Sequence, residues 1–202
     1  MNIGNITAKW ARLDPSRPAL VDIPTGRRMS FGELDKRVRQ LGNALTAQGA
    51  QKGDRVGVLA KNSIEYFEVY YACARAGLIA QPLNWRLAVP ELSRIIEDGK
   101  PRIMVTSDEF RAEQQALQSE LDISHWLEFG EGSDGSFDNL VNAASDDEPE
   151  RSATTGGDDP TLILYTGGTT GLSKGALHSH KTLFMGMINQ TVAERVVPTD
   201  VY

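Results

Sequence analysis

The sequence predicts an α/β fold in which helices flank a largely parallel sheet, preceded by a small N-terminal hairpin. Short runs of β-forming residues, such as 55–60 and 102–106, alternate with segments of helical period along most of the 202 residues. Glycine or proline lies at many of the junctions between them. Two parallel strands need a crossover about as long as a helix, so this alternation favours parallel pairing.

The N-terminal part is expected to form a helix, a hairpin and a second helix. The first helix covers 5–13, and the hairpin covers 19–30 with its turn at Pro24-Thr25-Gly26. The second helix begins at Ser30, because Glu33 three residues later completes a capping box. Its apolar residues recur at spacings of three and four, as one core-facing stripe requires: Phe31, Leu34, Val38, Leu41 and Leu45.

The middle of the chain continues the alternation. Its strands are apolar runs rich in β-formers, expected at 55–60, 78–80, 102–106 and 126–129. Its helices are expected at 62–77, 90–98, 107–120 and 137–143. Pro90 suits a first helical turn and Ser107 suits a cap, while Gly77 and Gly99 are typical of helix ends.

An acidic stretch interrupts this pattern. Residues 146–159 hold six acidic side chains, one arginine, Pro149 and the pair Gly156-Gly157, a composition typical of an exposed loop or hinge. The chain is therefore predicted to divide into an N-terminal α/β subdomain at 1–145, an acidic loop or hinge at 146–160, and a strand–loop–helix unit at 161–202.

Composition limits the class of protein. The net charge is −6 and most of it lies in the acidic stretch, which argues against a nucleic-acid binder. No apolar run approaches the ~20 residues of a membrane span, and residues 1–10 lack the apolar centre of a signal peptide. The single cysteine, Cys73, excludes an internal disulfide framework, so a reducing, cytoplasmic location is expected.

The strongest functional signal is a glycine-rich loop. The uncharged strand 161–165 precedes it, and a helix is expected over 179–195 after it. Backbone N–H groups without Cβ crowding, several hydroxyls and one lysine together suit a polyphosphate ligand. The candidate binding residues are Thr166, Gly167, Gly168, Thr169, Thr170, Gly171, Ser173 and Lys174.

Two other phosphate motifs do not fit. The P-loop spacing is absent, because Lys174 follows Ser173 instead of a glycine. Residues 130–135 match G-x-G-x-x-G literally, but Glu131 and Asp134 would repel a pyrophosphate and the following helix is short. A solvent-exposed loop is the preferred interpretation of this stretch.

Other chemically active residues receive structural interpretations. His178 and His180 have no further ligand near them in sequence, so polar residues at a helix start are preferred over a metal site, and no metal ligand is predicted. Cys73 is expected to be a buried small residue. Trp85 and Arg86 could contact a partner or cover the core, and the second is preferred. The aromatic residues of the helix expected at 62–77 should face the core: Phe67, Tyr70 and Tyr71.

The loop Tyr165-Thr166-Gly167-Gly168-Thr169-Thr170-Gly171-Leu172-Ser173-Lys174-Gly175 resembles the signature loop of the adenylate-forming enzymes, the AMP-dependent synthetase and ligase superfamily. The resemblance extends over the whole chain. It includes the stretches 20–34, 53–56 and 76–87. The tetrapeptide Asn84-Trp85-Arg86-Leu87 is most similar to the corresponding segment of acyl-CoA synthetases. Gly167 stands where the family often has serine, which removes one possible hydroxyl donor. Ser173 stands where the family usually has proline, which makes the loop more flexible when no ligand is bound.

The resemblance implies an ATP-dependent acid–thiol ligase. A carboxylic acid would attack the α-phosphate of Mg-ATP, giving an acyl-adenylate and pyrophosphate, and the thiol of coenzyme A would then take the acyl group. The loop would hold the β- and γ-phosphates, with ATP, Mg and coenzyme A as the implied cofactors and co-substrates. An adenylating enzyme with a carrier-protein or other acceptor is the alternative.

The resemblance also implies that much of the catalytic machinery lies further along such a chain. The adenine- and ribose-binding groups, a magnesium-binding glutamate and the lysine that contacts the acyl carboxylate belong to later segments of the family. The stretch 200–202 resembles the start of the next family motif. The chain is therefore expected to be the N-terminal portion of a longer enzyme and inactive alone, with catalytic residues, acid substrate and oligomeric state unassigned.

Overall fold

The computed structural model describes residues 1–167, 173–197 and 200, and it confirms the α/β class. The helices are α1 (Asn5–Leu13), α2 (Phe31–Ala47), α3 (Ile64–Ala76), α4 (Val89–Gly99), α5 (Arg111–Glu120), α6 (Ser136–Ala143) and α7 (His180–Glu194). The strands are β1 (Pro18–Val21), β2 (Arg28–Ser30), β3 (Arg55–Leu59), β4 (Ile79–Pro82), β5 (Ile103–Ser107), β6 (His125–Phe129), β7 (Pro160–Thr166) and β8 (Lys174–Ser179). Short 3₁₀ helices cover Asp108–Phe110 and Glu150–Thr154.

The main sheet has six described strands in the order β6-β5-β3-β4-β7-β8. The first five pair in parallel and β8 is antiparallel to β7, so the largely parallel sheet is confirmed. Strands β1 and β2 form the separate antiparallel hairpin. The capping box is also confirmed, because the Ser30 hydroxyl accepts from the Glu33 N–H while the Glu33 carboxylate accepts from the Ser30 N–H.

Helices cover both faces of this sheet. On one face α2, α3 and α6 pack on side chains such as Val56 and Val58, and on the other α4 and α5 pack on Leu59 and Met104. The alternation along β3 follows from the two-residue period of a strand. Gly57 lies on the second face, where a Cβ would overlap the Met104 sulfur.

Two helix ends differ from the sequence prediction. Gly99 is the last residue of α4, and Lys100 takes the left-handed conformation (φ 48°) expected of Gly99. Gly99 serves close packing, since a Cβ there would overlap the Gln81 amide. Ser107 precedes a 3₁₀ turn and α5, and its hydroxyl makes no capping bond.

The structure divides the aromatic residues of α3, all of which the sequence predicts to face the core. The prediction is wrong for Phe67, which is 43% exposed. Tyr70 is partly buried and packs on the core cluster of the first face, and Tyr71 is partly buried. The fully buried residues of α3 include Ala72 and the polar Glu68.

A buried guanidinium joins the N-terminal elements. Arg75 of α3 is 1% exposed, and its Nη1 lies 2.7 Å from Asp35 Oδ1 and 3.1 Å from Thr7 Oγ1. Nη1 also donates to the Gly4 carbonyl, and Nε donates to Glu148 Oε1 at 2.7 Å. The hydrogen bond from Arg75 lowers the pKa of Glu148. The arginine thus ties α1, α2 and α3 to the acidic stretch.

The acidic stretch is less exposed than the sequence predicted. Pro149 and Ser152 are buried, and Asp159 pairs with Lys52 at 3.0 Å. The pairing with Arg75 anchors Glu148 although half of its side chain reaches solvent. Unpaired acidic side chains would repel one another, and cations on neighbouring elements remove that repulsion here. The division of the chain into domains at 145 and 160 stays a prediction.

We expect Arg75→Ala to lower the free energy of unfolding by about 3–5 kcal/mol, because it leaves the Asp35 carboxylate buried without its main partner. Urea unfolding followed by circular dichroism measures this loss. The matched control is Lys36→Ala, which removes an ion pair to Asp146 between side chains 57% and 52% exposed. The control should change stability by less than about 0.5 kcal/mol; equal losses in the two variants would contradict the central role of Arg75.

Candidate phosphate-binding site

The glycine-rich loop connects two antiparallel strands and does not lead directly into a helix. Thr166, the last residue of β7, pairs with Lys174, the first residue of β8. The helix predicted after the loop is present as α7, but six residues of β8 separate it from the loop. The predicted helix at 179–195 is confirmed, whereas the strand β8 before it was not predicted. The helix dipole acts within about one turn of its end, so the loop gains little from α7.

The candidate residues divide into two groups. Thr166, Gly167, Ser173 and Lys174 lie at the open end of the β7–β8 hairpin and are exposed. The other four lie outside the described residues: Gly168, Thr169, Thr170 and Gly171. Among the described residues Lys174 has no ion-pair partner, and its side chain is exposed.

The hairpin opens at the carboxyl edge of the parallel sheet. Ala80 of β4 lies opposite Leu162 of β7, so four residues further along each chain Asn84 and Thr166 leave the sheet at the same edge. Ligands of open α/β sheets bind at the carboxyl ends of the strands. The loop therefore lies where such a fold places its ligand.

A cluster of aromatic and basic side chains occupies the same edge. Lys61 follows β3 and lies 5.1 Å from the ring centroid of Trp85, which follows β4. The Arg86 guanidinium lies 4.1 Å from the centroid of the same Trp85 ring, and the Phe110 ring centroid lies 6.1 Å from it. We call Lys61, Trp85 and Arg86 the aromatic–basic cluster. The prediction that Trp85 covers the core is confirmed, because its partly buried ring packs on the core cluster of the second face. Sequence reasoning missed Lys61, although this residue follows a predicted strand.

This chain is similar in sequence to known proteins of one enzyme family. Residues 7–202 match the family model described as AMP-binding enzyme. The chain is 33% identical over 186 residues to a Mycobacterium tuberculosis protein named long-chain-fatty-acid–CoA ligase FadD13, covering 90% of this chain and 36% of that protein. It is 34% identical to the Streptomyces coeruleorubidus fatty acid–[acyl-carrier-protein] ligase ScoC, over 88% of this chain and 33% of that protein.

Solved structures agree. The structure titled ATP-bound MatB from Rhodopseudomonas palustris superposes with a TM-score of 0.80 at 33% identity, covering 99% of this chain and 39% of that one. The chain belongs to the AMP-binding enzyme family. It spans about a third of the length of the curated relatives that it matches, which corresponds to their N-terminal portion.

The family match extends through all eight candidate residues. Within it, Tyr165 fixes the strand that leads into the loop. Its hydroxyl donates to Asp98 Oδ2 of α4 at 2.5 Å, and its ring packs on the same core cluster as Trp85. Burial, and then the Asp98 carboxylate, raise the pKa of Tyr165. The strand before the loop is thus held to the helix on the second face.

The G-x-G-x-x-G stretch of this family member has a different role from a dinucleotide loop. The Gly132 N–H donates to Asp108 Oδ2 at 2.7 Å, and a Cβ at Gly130 would overlap the same carboxylate. The position of an anion is therefore taken by the protein's own aspartate. Helix α6 behind the loop has only eight residues.

The two histidines separate in the structure. His178 lies in β8 opposite Leu162, whereas His180 is fully buried at the start of α7. Among residues 1–167, 173–197 and 200, no three His, Cys, Asp or Glu side chains are grouped as a metal site would require. Cys73 is buried, as expected, and burial raises the pKa of its thiol. No helix in the described part of the chain is long and apolar enough to cross a membrane.

Proposed function

We propose that this chain supplies the ATP-phosphate-binding portion of an adenylate-forming ligase that activates a carboxylic acid and transfers it to coenzyme A. The observation that carries the proposal is the hairpin mouth, where Thr166 and Lys174 face each other at the carboxyl edge of the sheet. Membership of the AMP-binding family and relatives named as CoA and acyl-carrier-protein ligases support it.

The proposed reaction has two steps. A carboxylate oxygen forms a bond to the α-phosphorus of ATP, the bond from that phosphorus to the bridging oxygen of the β-phosphate breaks, and pyrophosphate leaves. A thiol sulfur then bonds to the acyl carbon, and AMP leaves. Negative charge grows on the leaving pyrophosphate, so a lysine and hydroxyl donors fixed beside it lower the barrier. Thr166, Ser173 and Lys174 are the described residues placed to act in this way.

Magnesium would reduce the charge on the triphosphate when bound. No group of three His, Cys, Asp or Glu side chains is present among the described residues, and we assign no magnesium ligand to them. We also assign no acid-binding residue to the described part of the chain. A cytoplasmic location is also proposed, supported by the single buried thiol of Cys73.

The aromatic–basic cluster is our candidate for the nucleotide end of coenzyme A. That ligand carries an adenine ring and three phosphates, so it needs a stacking surface and cations. Trp85 offers the ring and Arg86 the cation at the edge from which the hairpin opens, whereas the Lys61 ammonium is already paired with Glu109 at 2.6 Å. An acyl carrier protein lacks this nucleotide. The relative named as an acyl-carrier-protein ligase makes the carrier protein the second candidate acceptor.

Lys174→Ala should weaken Mg-ATP binding about 10- to 100-fold, because one charge-assisted hydrogen bond contributes about 1.5–3 kcal/mol. Isothermal calorimetry on the 202-residue chain measures the change. Lys181→Ala is the matched control, because Lys181 is a nearby exposed lysine that lies 3.8 Å from Asp158 and away from the hairpin mouth. Unchanged ATP affinity in Lys174→Ala, or no ATP binding by the wild type, would contradict the proposed phosphate site.

Arg86→Ala should weaken binding of adenosine 3′,5′-bisphosphate, a fragment of coenzyme A, by about tenfold, since an exposed cation over an aromatic ring with one phosphate contact contributes about 1–2 kcal/mol. Fluorescence titration of Trp85 reports the binding. Arg94→Ala, at an exposed position of α4, is the control. Equal affinities in all three proteins would favour the carrier-protein acceptor.

The 202-residue chain alone should catalyse no ATP–pyrophosphate exchange with any carboxylic acid, because the family places further catalytic groups in later segments. The measurement uses radiolabelled pyrophosphate and a panel of short, long and aromatic acids. Intact mass must be verified first. Exchange above the level of a Lys174→Ala control would show that residues 1–202 already contain the catalytic set.

A further inference from the structure

His180 occupies an unusual position for a histidine. It is the first residue of α7, directly after β8, and its side chain is fully buried. Its Nδ1 accepts a hydrogen bond from the backbone N–H of Ile3 at 3.2 Å, across 177 residues of sequence. An accepting Nδ1 is unprotonated, so in the neutral ring the proton lies on Nε2. Nε2 has no partner among the described residues.

Backbone hydrogen bonds join the same three segments. The Gly157 N–H donates to the Met1 carbonyl at 2.7 Å, and the Lys181 N–H donates to the Gly157 carbonyl at 2.8 Å. The His180 N–H donates to the Asp159 carbonyl at 3.1 Å. Gly156 has φ 147°, and a Cβ there would overlap the Met1 carbonyl. We call residues 1–3, 156–159 and 180 the N-terminal clamp.

The clamp lies at the base of the candidate phosphate hairpin. Pro160 of β7 pairs with Ser179 of β8. The clamp residue Asp159 directly precedes Pro160, and His180 directly follows Ser179. Whatever holds these two residues in place also fixes where both strands of the hairpin begin. The described residues at the other end of the hairpin, Thr166 and Lys174, inherit that placement.

Three charged groups act on His180. Asp159 favours a charged ring, but its carboxylate is already paired with Lys52 at 3.0 Å. Lys52 itself and the α-amino group of Met1 oppose a further positive charge. Burial has the largest effect, and together these groups lower the pKa of His180.

Protonation would also conflict with the hydrogen bond. A doubly protonated imidazole has only N–H donors, so Nδ1–H would point at the Ile3 N–H. Two donors facing each other without water cost about as much as a lost buried hydrogen bond, in which a polar group is left unpaired. The hydrogen bond from the Ile3 N–H, which joins the N-terminal segment to α7, can therefore form only with an unprotonated Nδ1.

We propose that His180 is a positioning residue whose neutral imidazole holds the N-terminal segment against the start of α7, and that proton uptake by the ring releases this segment. The inference does not depend on ATP binding. Its failure and the failure of the proposed function are therefore separate results.

The first test compares stability against pH in wild type and His180→Asn, using urea unfolding between pH 8 and pH 5. The Asn Oδ1 can accept from the Ile3 N–H and does not titrate. Because the pKa of His180 is lowered in the folded state, the unfolded chain binds more protons below about pH 6.5. The wild type keeps its full stability above that pH. Below it, its unfolding constant relative to His180→Asn should rise by up to about tenfold per pH unit.

His178→Asn is the matched control, because His178 lies two residues away in β8. Its pH profile should run parallel to that of the wild type. Parallel profiles in wild type and His180→Asn would overturn the proposal, since a purely structural residue changes stability equally at every pH.

A second measurement uses only the wild type, so it does not depend on a variant that folds. NMR records the titration of the His180 ring and the exchange protection of the Ile3 amide, with the core amide of Val58 as reference. We expect a midpoint below about 6.5 and loss of Ile3 protection at the same pH. Titration of His180 without any change at Ile3 would overturn the proposal.

Discussion

The buried guanidinium of Arg75 is the interaction on which much of the N-terminal architecture depends. A charge in this interior is tolerated only if it is matched, and Asp35 and Glu148 match it from α2 and from the acidic stretch. Thr7 adds a hydroxyl from α1. One side chain thereby holds four segments far apart in sequence, and the stretch that precedes β7 is held in place by this contact.

From there the order of the sheet determines the candidate site. Strand β7 inserts beside β4 and brings the glycine-rich loop to the edge where Lys61, Trp85 and Arg86 already lie. The segments that follow β3, β4 and β7 lie at one edge because parallel strands all end at the same edge of a sheet. The result is one edge with two parts, a hairpin mouth that we propose for phosphates and an aromatic ring with a stacked guanidinium that we propose for a nucleotide.

The two ends of the β7–β8 hairpin differ in character. At the mouth, Thr166 and Lys174 are exposed and open to a ligand. At the base, Gly157 and His180 are hydrogen-bonded to Met1 and Ile3. A fixed base reduces the conformational entropy that the mouth would lose on binding the proposed phosphate ligand. The N-terminal segment therefore belongs to the same structural unit as the hairpin.

The sequence by itself determined the features that depend on local patterns. The capping box at Ser30, the alternation of strands with helices and the phosphate-loop composition are all legible there, because period, caps and glycine clusters act over a few residues. Only the tertiary structure decided that β8 follows the loop, that Phe67 is exposed while Glu68 is buried, and that Arg75 and His180 meet Glu148 and Ile3. Those outcomes depend on partners more than 70 residues away in the chain or on neighbouring strands, and no local pattern specifies which distant groups will meet.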